Sequence, residues 1–272
     1  MTTIHCVRRW LMAIAIGVMA VCAQAQAAEE WKPTLGQPGK DVIWLPSPQL
    51  LVDKMLDMAR VTPADFVMDL GSGDGRTVIT AAKRGARALG IEFDPNMVGL
   101  SRRNAAAAGV GDKAKFVEAD IFETDLSQAT VITLFLLPEL NMKLRPKLLD
   151  MRPGTRIVSN SFDMEDWEAD QVADLGCETY CTGFLWIVPA KVQGIWRLDD
   201  GNLVLQQKFQ KLTGALATES TAAKITTGRM RGNEISFVVG RSQYRGRVEG
   251  AVIKGTVATG GSITRWTARR QT

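Results

Sequence analysis

The sequence predicts an α/β fold with a doubly wound sheet, followed by a small all-β barrel or sandwich. Apolar runs of strand length alternate with amphipathic helical stretches as far as about residue 190. From about Lys191 short segments of period-two polarity take over, separated by turn residues. Charge changes at the same point: residues 26–190 hold 17 basic and 24 acidic side chains (net −7), and residues 191–272 hold 14 and 5 (net +9). Opposite charges can draw the two parts together, or present the basic part to an anionic partner at the cell envelope.

Within the first part, Ser47 and Pro48 offer an N-cap followed by proline at the first helical position. A helix should run from there to about Arg60, with Leu51, Met55 and Met58 on one face. Strands are expected at 66–70, 88–93, 114–117, 131–137 and 156–159, and helices at 76–84, 96–108 and 138–151. This alternation implies a parallel sheet, to which 184–188 adds a further buried strand. In the second part, segments at 203–210, 235–239, 244–248 and 252–257 form a meander, with turns at 199–202, 231–233, 249–250 and 260–261.

Residues 1–25 have the composition of a cleaved export signal. Arg8 and Arg9 precede an apolar run over 10–23, and small residues follow at Ala23, Ala25 and Ala27. The run is short for a bilayer span, so no retained transmembrane helix is expected; the alternative is a membrane anchor left uncleaved. The paired arginines also suit export of an already folded chain, and Cys22 is poorly placed for lipid attachment because Val21 precedes it. Residues 26–46, with Pro33, Gly36, Pro38 and Gly39, read as a linker. The domains are then 47–190 and 191–272.

Cleavage would remove His5, the sole histidine, together with Cys6 and Cys22. Histidine-based nucleophilic catalysis and histidine-ligated metals are thereby excluded, and no metal site is expected. Cys177 and Cys181 either bridge in an oxidising compartment or remain as thiols.

Chemistry concentrates at the end of the first strand. Gly71, Gly73 and Gly75 form a turn into the next helix, with Ser72 between them, and such a turn lets backbone approach a ligand closely. The third glycine comes one residue sooner than in the nicotinamide-binding G-x-G-x-x-G pattern. Asp69 and Asp74 would repel a pyrophosphate there, whereas a phosphate-free cationic nucleoside such as S-adenosylmethionine suits them. Glu92, at the end of the second strand, can accept from both ribose hydroxyls, and Asp120 follows the third strand at the same edge.

With these residues in place, residues 47–189 resemble the class I, seven-stranded S-adenosylmethionine-dependent methyltransferases, whose sheet is Rossmann-like. The resemblance implies that Gly71 and Gly73 line the methionine end of the donor and that Glu92 holds the ribose. It also implies that Asp120 with Ile121 recognises adenine. More narrowly, Trp44-Leu45-Pro46-Ser47 and Gly71-Ser72-Gly73-Asp74-Gly75-Arg76 look like the protein-lysine methyltransferases that include the mitochondrial ATP synthase c-subunit enzyme and its bacterial relatives. This implies an amine acceptor, on a protein or a small molecule.

In-line displacement from a sulfonium needs little acid-base machinery, which fits a chain without histidine beyond residue 5. Leu136-Leu137-Pro138-Glu139 stands where nucleic-acid amino methyltransferases carry Asp or Asn before Pro-Pro and an aromatic, so a nucleic-acid acceptor is not expected. Glu139 and Asp163 follow strands four and five and are the candidates to orient the amine or take its proton; Glu139 can equally serve a helix N-terminus. Trp44, Phe162 and Trp167 either wall the acceptor pocket or pack in the core. The alternatives to an enzyme of this class are a non-catalytic exported nucleoside-binding protein docked on the envelope through its β domain, and a nicotinamide oxidoreductase.

Overall fold

The structure, a computed structural model, describes residues 31–218 and 221–271. The export signal, with His5, Cys6 and Cys22, lies outside the described residues.

The first domain holds α1 (Gln49–Met58), β1 (Phe66–Leu70), α2 (Arg76–Lys83), β2 (Arg87–Glu92), α3 (Pro95–Ala107), β3 (Ala114–Glu118), β4 (Val131–Leu134), α4 (Pro138–Leu149), β5 (Arg156–Asn160), β6 (Gln171–Asp174) and β7 (Thr182–Ile187). Its sheet runs β3-β2-β1-β4-β5-β7-β6. Adjacent residues of each central strand point to opposite faces, which divides them between two cores. Val67, Val131, Val158 and Leu185 pack with α1, α2 and α3, while Met68, Ile132, Ile157 and Trp186 pack with α4. Both faces of the central strands are therefore apolar, and that is why they read as unbroken hydrophobic runs.

Strand order reverses between β1 and β4, so the loops leaving the carboxyl ends of these two strands diverge and leave a crevice. β4 ends at Leu134, short of the 131–137 expected, and residues 135–137 leave the sheet along that crevice to enter α4. The sheet is mixed, not wholly parallel: β7 pairs antiparallel with both β5 and β6. β6, absent from the expected elements, is a mostly exposed edge strand without apolar periodicity. Ser47 does not cap α1. Pro48 holds that position, and Ser47 is buried, where its Oγ accepts from Asn160 Nδ2 at 2.9 Å.

The second domain is a closed eight-stranded barrel. Its strands are β8 (Gly194–Leu198), β9 (Gly201–Lys208), β10 (Lys211–Ala217), β11 (Ala222–Arg231), β12 (Glu234–Val239), β13 (Ser242–Glu249), β14 (Val252–Thr259) and β15 (Ser262–Arg270). Each pairs antiparallel with the next, and β15 returns to β8, removing both sheet edges. Trp266 crosses the paired Gly246 and Gly255 and donates its indole N–H to the carbonyls of Arg245 and Thr256 at 3.2 and 3.1 Å.

The two domains meet through the charge difference legible in the sequence. Lys191 pairs with Asp150, Lys208 with Asp166, Lys211 with Glu168 and Arg229 with Asp170, the barrel supplying every cation. Phe209, at the β9–β10 turn, stacks on the fully buried Trp167 with centroids 5.9 Å apart, and Gln210, 1% exposed, donates to the Glu168 carbonyl. Most exposed pairs of this kind contribute little. Asp170 differs, because its carboxylate is buried and divides its oxygens between Arg229 at 2.6 Å and the Ile187 N–H at 2.8 Å. Arg229→Ala strands that carboxylate and should lower stability by about 2 kcal/mol, whereas Arg229→Lys should recover part of the loss. Urea unfolding followed by tryptophan fluorescence checks this; an unchanged midpoint for the alanine variant would contradict it.

Candidate active site

At the carboxyl end of β1 the chain must turn sharply into α2, and Gly71, Gly73 and Gly75 do so with φ of +79°, +53° and +81°. The N–H groups of Gly71 and Ser72 both donate to the Ile91 carbonyl of β2, at 2.9 and 3.1 Å. A Cβ on Gly71 would come within 3.2 Å of Leu136, and one on Gly73 within 2.9 Å of the Trp44 indole. Gly75 instead faces Phe116 and Ser101, which its Cβ would overlap; it packs the turn onto α3 and does not line the cavity.

Glu92 is held by backbone on every side. One carboxylate oxygen accepts from Gly73 N–H at 2.9 Å, the other from the N–H groups of Phe93 and Asp94 at 2.8 and 3.1 Å. These bonds aim the carboxylate into a cavity that Asp69, Gly71, Ser72, Gly73, Asp74, Asp120 and Ile121 also line, so the structure brings these candidates together.

Asp69 is buried, 6% exposed, and its Oδ1 accepts from the Thr133 hydroxyl. Burial pushes its carboxyl up to about 7, the neighbouring Glu92 and Asp74 carboxylates push the same way, and the Thr133 hydrogen bond opposes them. Among the described residues no cation pairs with Asp69. Ser72 Oγ is likewise buried without a hydrogen-bond partner, beside Gly90, whose missing Cβ leaves it room. A cation entering this cavity would meet an uncompensated carboxylate at its floor, with apolar walls at Met97, Leu134 and Leu136. These features fit the ammonium and nucleoside of S-adenosylmethionine.

Asp74 takes a different part from the one its position in the turn suggests. Its carboxylate grips the Arg76 guanidinium through Nε at 3.0 Å and Nη2 at 2.6 Å, and Arg76 Nη1 donates to the Ser47 carbonyl. Its charge is largely neutralised within the turn, so repulsion of phosphate rests on Asp69 and Glu92. Asp120 accepts from the Phe122 N–H at 2.8 Å and from Lys40 Nζ at 2.7 Å, and this lysine holds its carboxyl below the usual range.

Lys40 comes from a segment that composition marks as linker. Residues 36–44 instead form a hairpin, with Gly36 N–H on Trp44 O, Trp44 N–H on Gln37 O, and a β-bridge between Pro38 and Ile43. Gln37, Lys40, Val42, Trp44 and Leu45 line the cavity, and Lys40 lies 4.4 Å from the Phe93 ring. Prolines and glycines that suggest a linker are here the turn residues of a hairpin, and only Trp44 stands out in the sequence.

Glu139 and Asp163 do not line the cavity. Glu139 is exposed in the first turn of α4, where it faces the helix dipole favourably, because residues 135–137 direct Leu136 inward and carry the helix start outward. Asp163 is also exposed, and its carboxylate accepts from the Glu165 N–H at 3.1 Å. Trp167 is wholly buried in the α4-side core, leaving Phe162 beside Phe135 and Tyr180, two aromatics that no sequence pattern singles out.

For Asp69 the sign of the pH effect follows from its raised value. Between an ordinary 3.8 and about 7 the folded chain holds a proton that the unfolded chain has released, so stability falls as pH rises through that window. Asp69→Asn removes this dependence. Its melting temperature should exceed wild type at about pH 8 and converge on it near pH 4; parallel profiles for the two proteins would refute the assignment.

Residues 69–171 match the ANTKMT methyltransferase domain. A protein-lysine N-methyltransferase of Saccharolobus islandicus is 41% identical over 134 residues, 48% of this chain and 83% of that protein. The mouse lysine N-methyltransferase of the ATP synthase c-subunit is 34% identical over 137 residues, 50% of this chain and 55% of the mouse protein, so just over half the length of that relative is spanned. An RNA methyltransferase from Salinibacter ruber, solved in complex with S-adenosyl-L-homocysteine, is 47% identical and covers 54% of this chain and 96% of its own, with a TM-score of 0.52. The glycine turn, the backbone-held Glu92 and the buried Asp69 thus lie in a chain that belongs to the family of the ANTKMT methyltransferase domain and is an S-adenosylmethionine-dependent methyltransferase.

Proposed function

We propose that the enzyme methylates the side-chain amine of a lysine in a protein acceptor. The observation that carries this is the wall beside the glycine turn: Leu136 packs against Gly71, and Phe135, Phe162 and Tyr180 extend the apolar surface outward. A nucleobase amine would need a hydrogen-bond acceptor there to orient it, whereas the methylenes of a lysine need none. Two of the relatives described above carry lysine N-methyltransferase names.

S-adenosylmethionine, when bound, supplies a methyl group on a positive sulfonium, open to in-line attack by a neutral nucleophile. Asp69 would face the donor's ammonium, Glu92 its ribose hydroxyls, and Asp120 with Ile121 its adenine, whose exocyclic amine would share Asp120 with Lys40. Leu136 and Phe135 hold water away from the path of attack. The new N–C bond forms as the C–S bond breaks, and the proton lost by the lysine ammonium passes to solvent at the mouth. Neither Glu139 nor Asp163 is positioned to take it.

Export is part of the proposal. The run over 10–23 behind Arg8 and Arg9 supports it, and so does the Cys177–Cys181 disulfide, a bond stable in an oxidising compartment. Arg245, Arg247 and Arg265, exposed on the barrel, would then face an anionic envelope.

Glu92→Ala should weaken S-adenosylhomocysteine binding more than about tenfold in calorimetry, since it removes the ribose contact and frees the glycine turn. Glu139→Gln and Asp163→Asn should keep label transfer into a lysine peptide within about threefold of wild type. Transfer into RNA with none into any lysine peptide would overturn the acceptor assignment. N-terminal sequencing of periplasmic protein should begin near Gln26 or Glu29; recovery of only Met1 protein from the cytoplasm would overturn export.

A further inference from the structure

A groove opens beside the cofactor cavity and shares its walls at Val42, Ile43, Leu45, Phe135 and Leu136. A side chain entering along it therefore arrives at the glycine turn, where Leu136 faces Gly71. The outer rim is apolar and open to solvent: Ile43 is 54% exposed, Leu137 42% and Tyr180 41%. Exposed large apolar residues gathered at the mouth of a site mark contact with an apolar part of a ligand.

The rings at this mouth form a wall. Tyr180 lies 5.4 Å from Phe135 at 62° and 6.2 Å from Phe162, and Phe135 and Phe162 are themselves 6.2 Å apart. Those spacings leave no room for an ammonium between the rings, so an entering cation would lie against the open face of Tyr180. Asp41 and Lys40 both line this groove; the Lys40 ammonium is paired with Asp120, and Asp41 adds a negative charge at the rim.

Tyr180 does not reach this position through regular structure. It sits in the short connection between β6 and β7 with a left-handed φ of +55°, a conformation that a tyrosine seldom adopts. The Cys177–Cys181 disulfide closes that connection across a Cα–Cα distance of 5.8 Å, Cys181 is buried, and Leu175 N–H donates to the Cys181 carbonyl at 3.1 Å. The bridge limits the backbone on both sides of Tyr180, and without it the loop would be free to swing the ring off Phe135 and Phe162.

We propose that Tyr180, positioned by the Cys177–Cys181 disulfide, selects the acceptor, and that the acceptor selected is a lysine flanked by apolar residues. This rests on the lysine assignment above. The lysine methylenes and ammonium run along the face of Tyr180 toward Leu136, and its apolar neighbours cover Ile43 and Leu137.

The test uses the mature, disulfide-bonded enzyme with labelled S-adenosylmethionine and two lysine peptides, one flanked by leucine and alanine and one by glutamate and serine. Wild type should show a KM at least about tenfold lower for the first. Tyr180→Ala should raise that KM until the preference shrinks to about twofold or less, with kcat changing less than KM and S-adenosylhomocysteine binding held; Tyr180→Phe should keep the preference. Cys177→Ser should raise the same KM, and should add nothing in the Tyr180→Ala background, since it acts through that ring. Equal KM values for the two peptides in wild type, or a preference that survives Tyr180→Ala, would overturn this proposal and leave the lysine assignment standing. Failure to methylate any lysine peptide, with donor binding intact, would overturn the assignment and this proposal together.

Discussion

The carboxylate of Glu92 joins the two loops from which the site is made. It accepts from Gly73 in the turn after β1 and from Phe93 and Asp94 in the turn after β2, so one side chain fixes the relative position of both. Hydrogen bonds from backbone N–H groups to an ionised acceptor are among the stronger ones available, and here they orient as well as stabilise. The cavity below exists because strand order reverses between β1 and β4. What gives it chemical character is the acid left inside it. Asp69 is buried at the cavity and has Thr133 in place of a cation, so the site is already matched to a positive ligand before one arrives.

Around that centre, segments without regular structure do most of the enclosing. The hairpin at 36–44 reaches over the glycine turn and ties itself down through Lys40 on Asp120, while 135–137 turn Leu136 inward at the opposite wall. The segment from 161 to 170 packs on the α4 face of the sheet, burying Met164 and Trp167 and sending Asp166, Glu168 and Asp170 to the barrel. Cavity enclosure and domain attachment thus use different parts of the same domain. The barrel contacts described above lie on that segment and, through Asp150, at the end of α4, and none of these residues lines the cavity.

Much of the sheet domain is open to inspection of the sequence, because strands buried on both faces are continuous apolar runs and the helices between them keep a clear period. β1, α2 and α3 fall within a residue or so of their expected limits. β4 is shorter than its apolar run, since Phe135, Leu136 and Leu137 are as apolar as a strand yet serve as cavity wall and helix entry. β6 escapes notice for the opposite reason, an edge strand needing no apolar pattern. Of the cavity lining, Gly71, Gly73, Glu92 and Asp120 are recoverable from spacing alone, because strand ends in an open α/β sheet converge on one edge.

Taken alone, then, the chain specifies what is local or periodic: two domains of opposite charge, the order of strands and helices, a glycine turn set among acids, and the absence of histidine beyond residue 5. Packing settled everything that depends on which surfaces meet. It paired Asp74 with Arg76 and left Asp69 unpaired, turned Glu139 and Asp163 to solvent, folded an apparent linker over the cavity, and carried Tyr180 to the groove on a bridged loop. Spacing along a chain fixes which end of a strand a residue occupies. Burial and partnership, which set the charge state of a carboxylate and the walls of a pocket, arise only when distant segments pack.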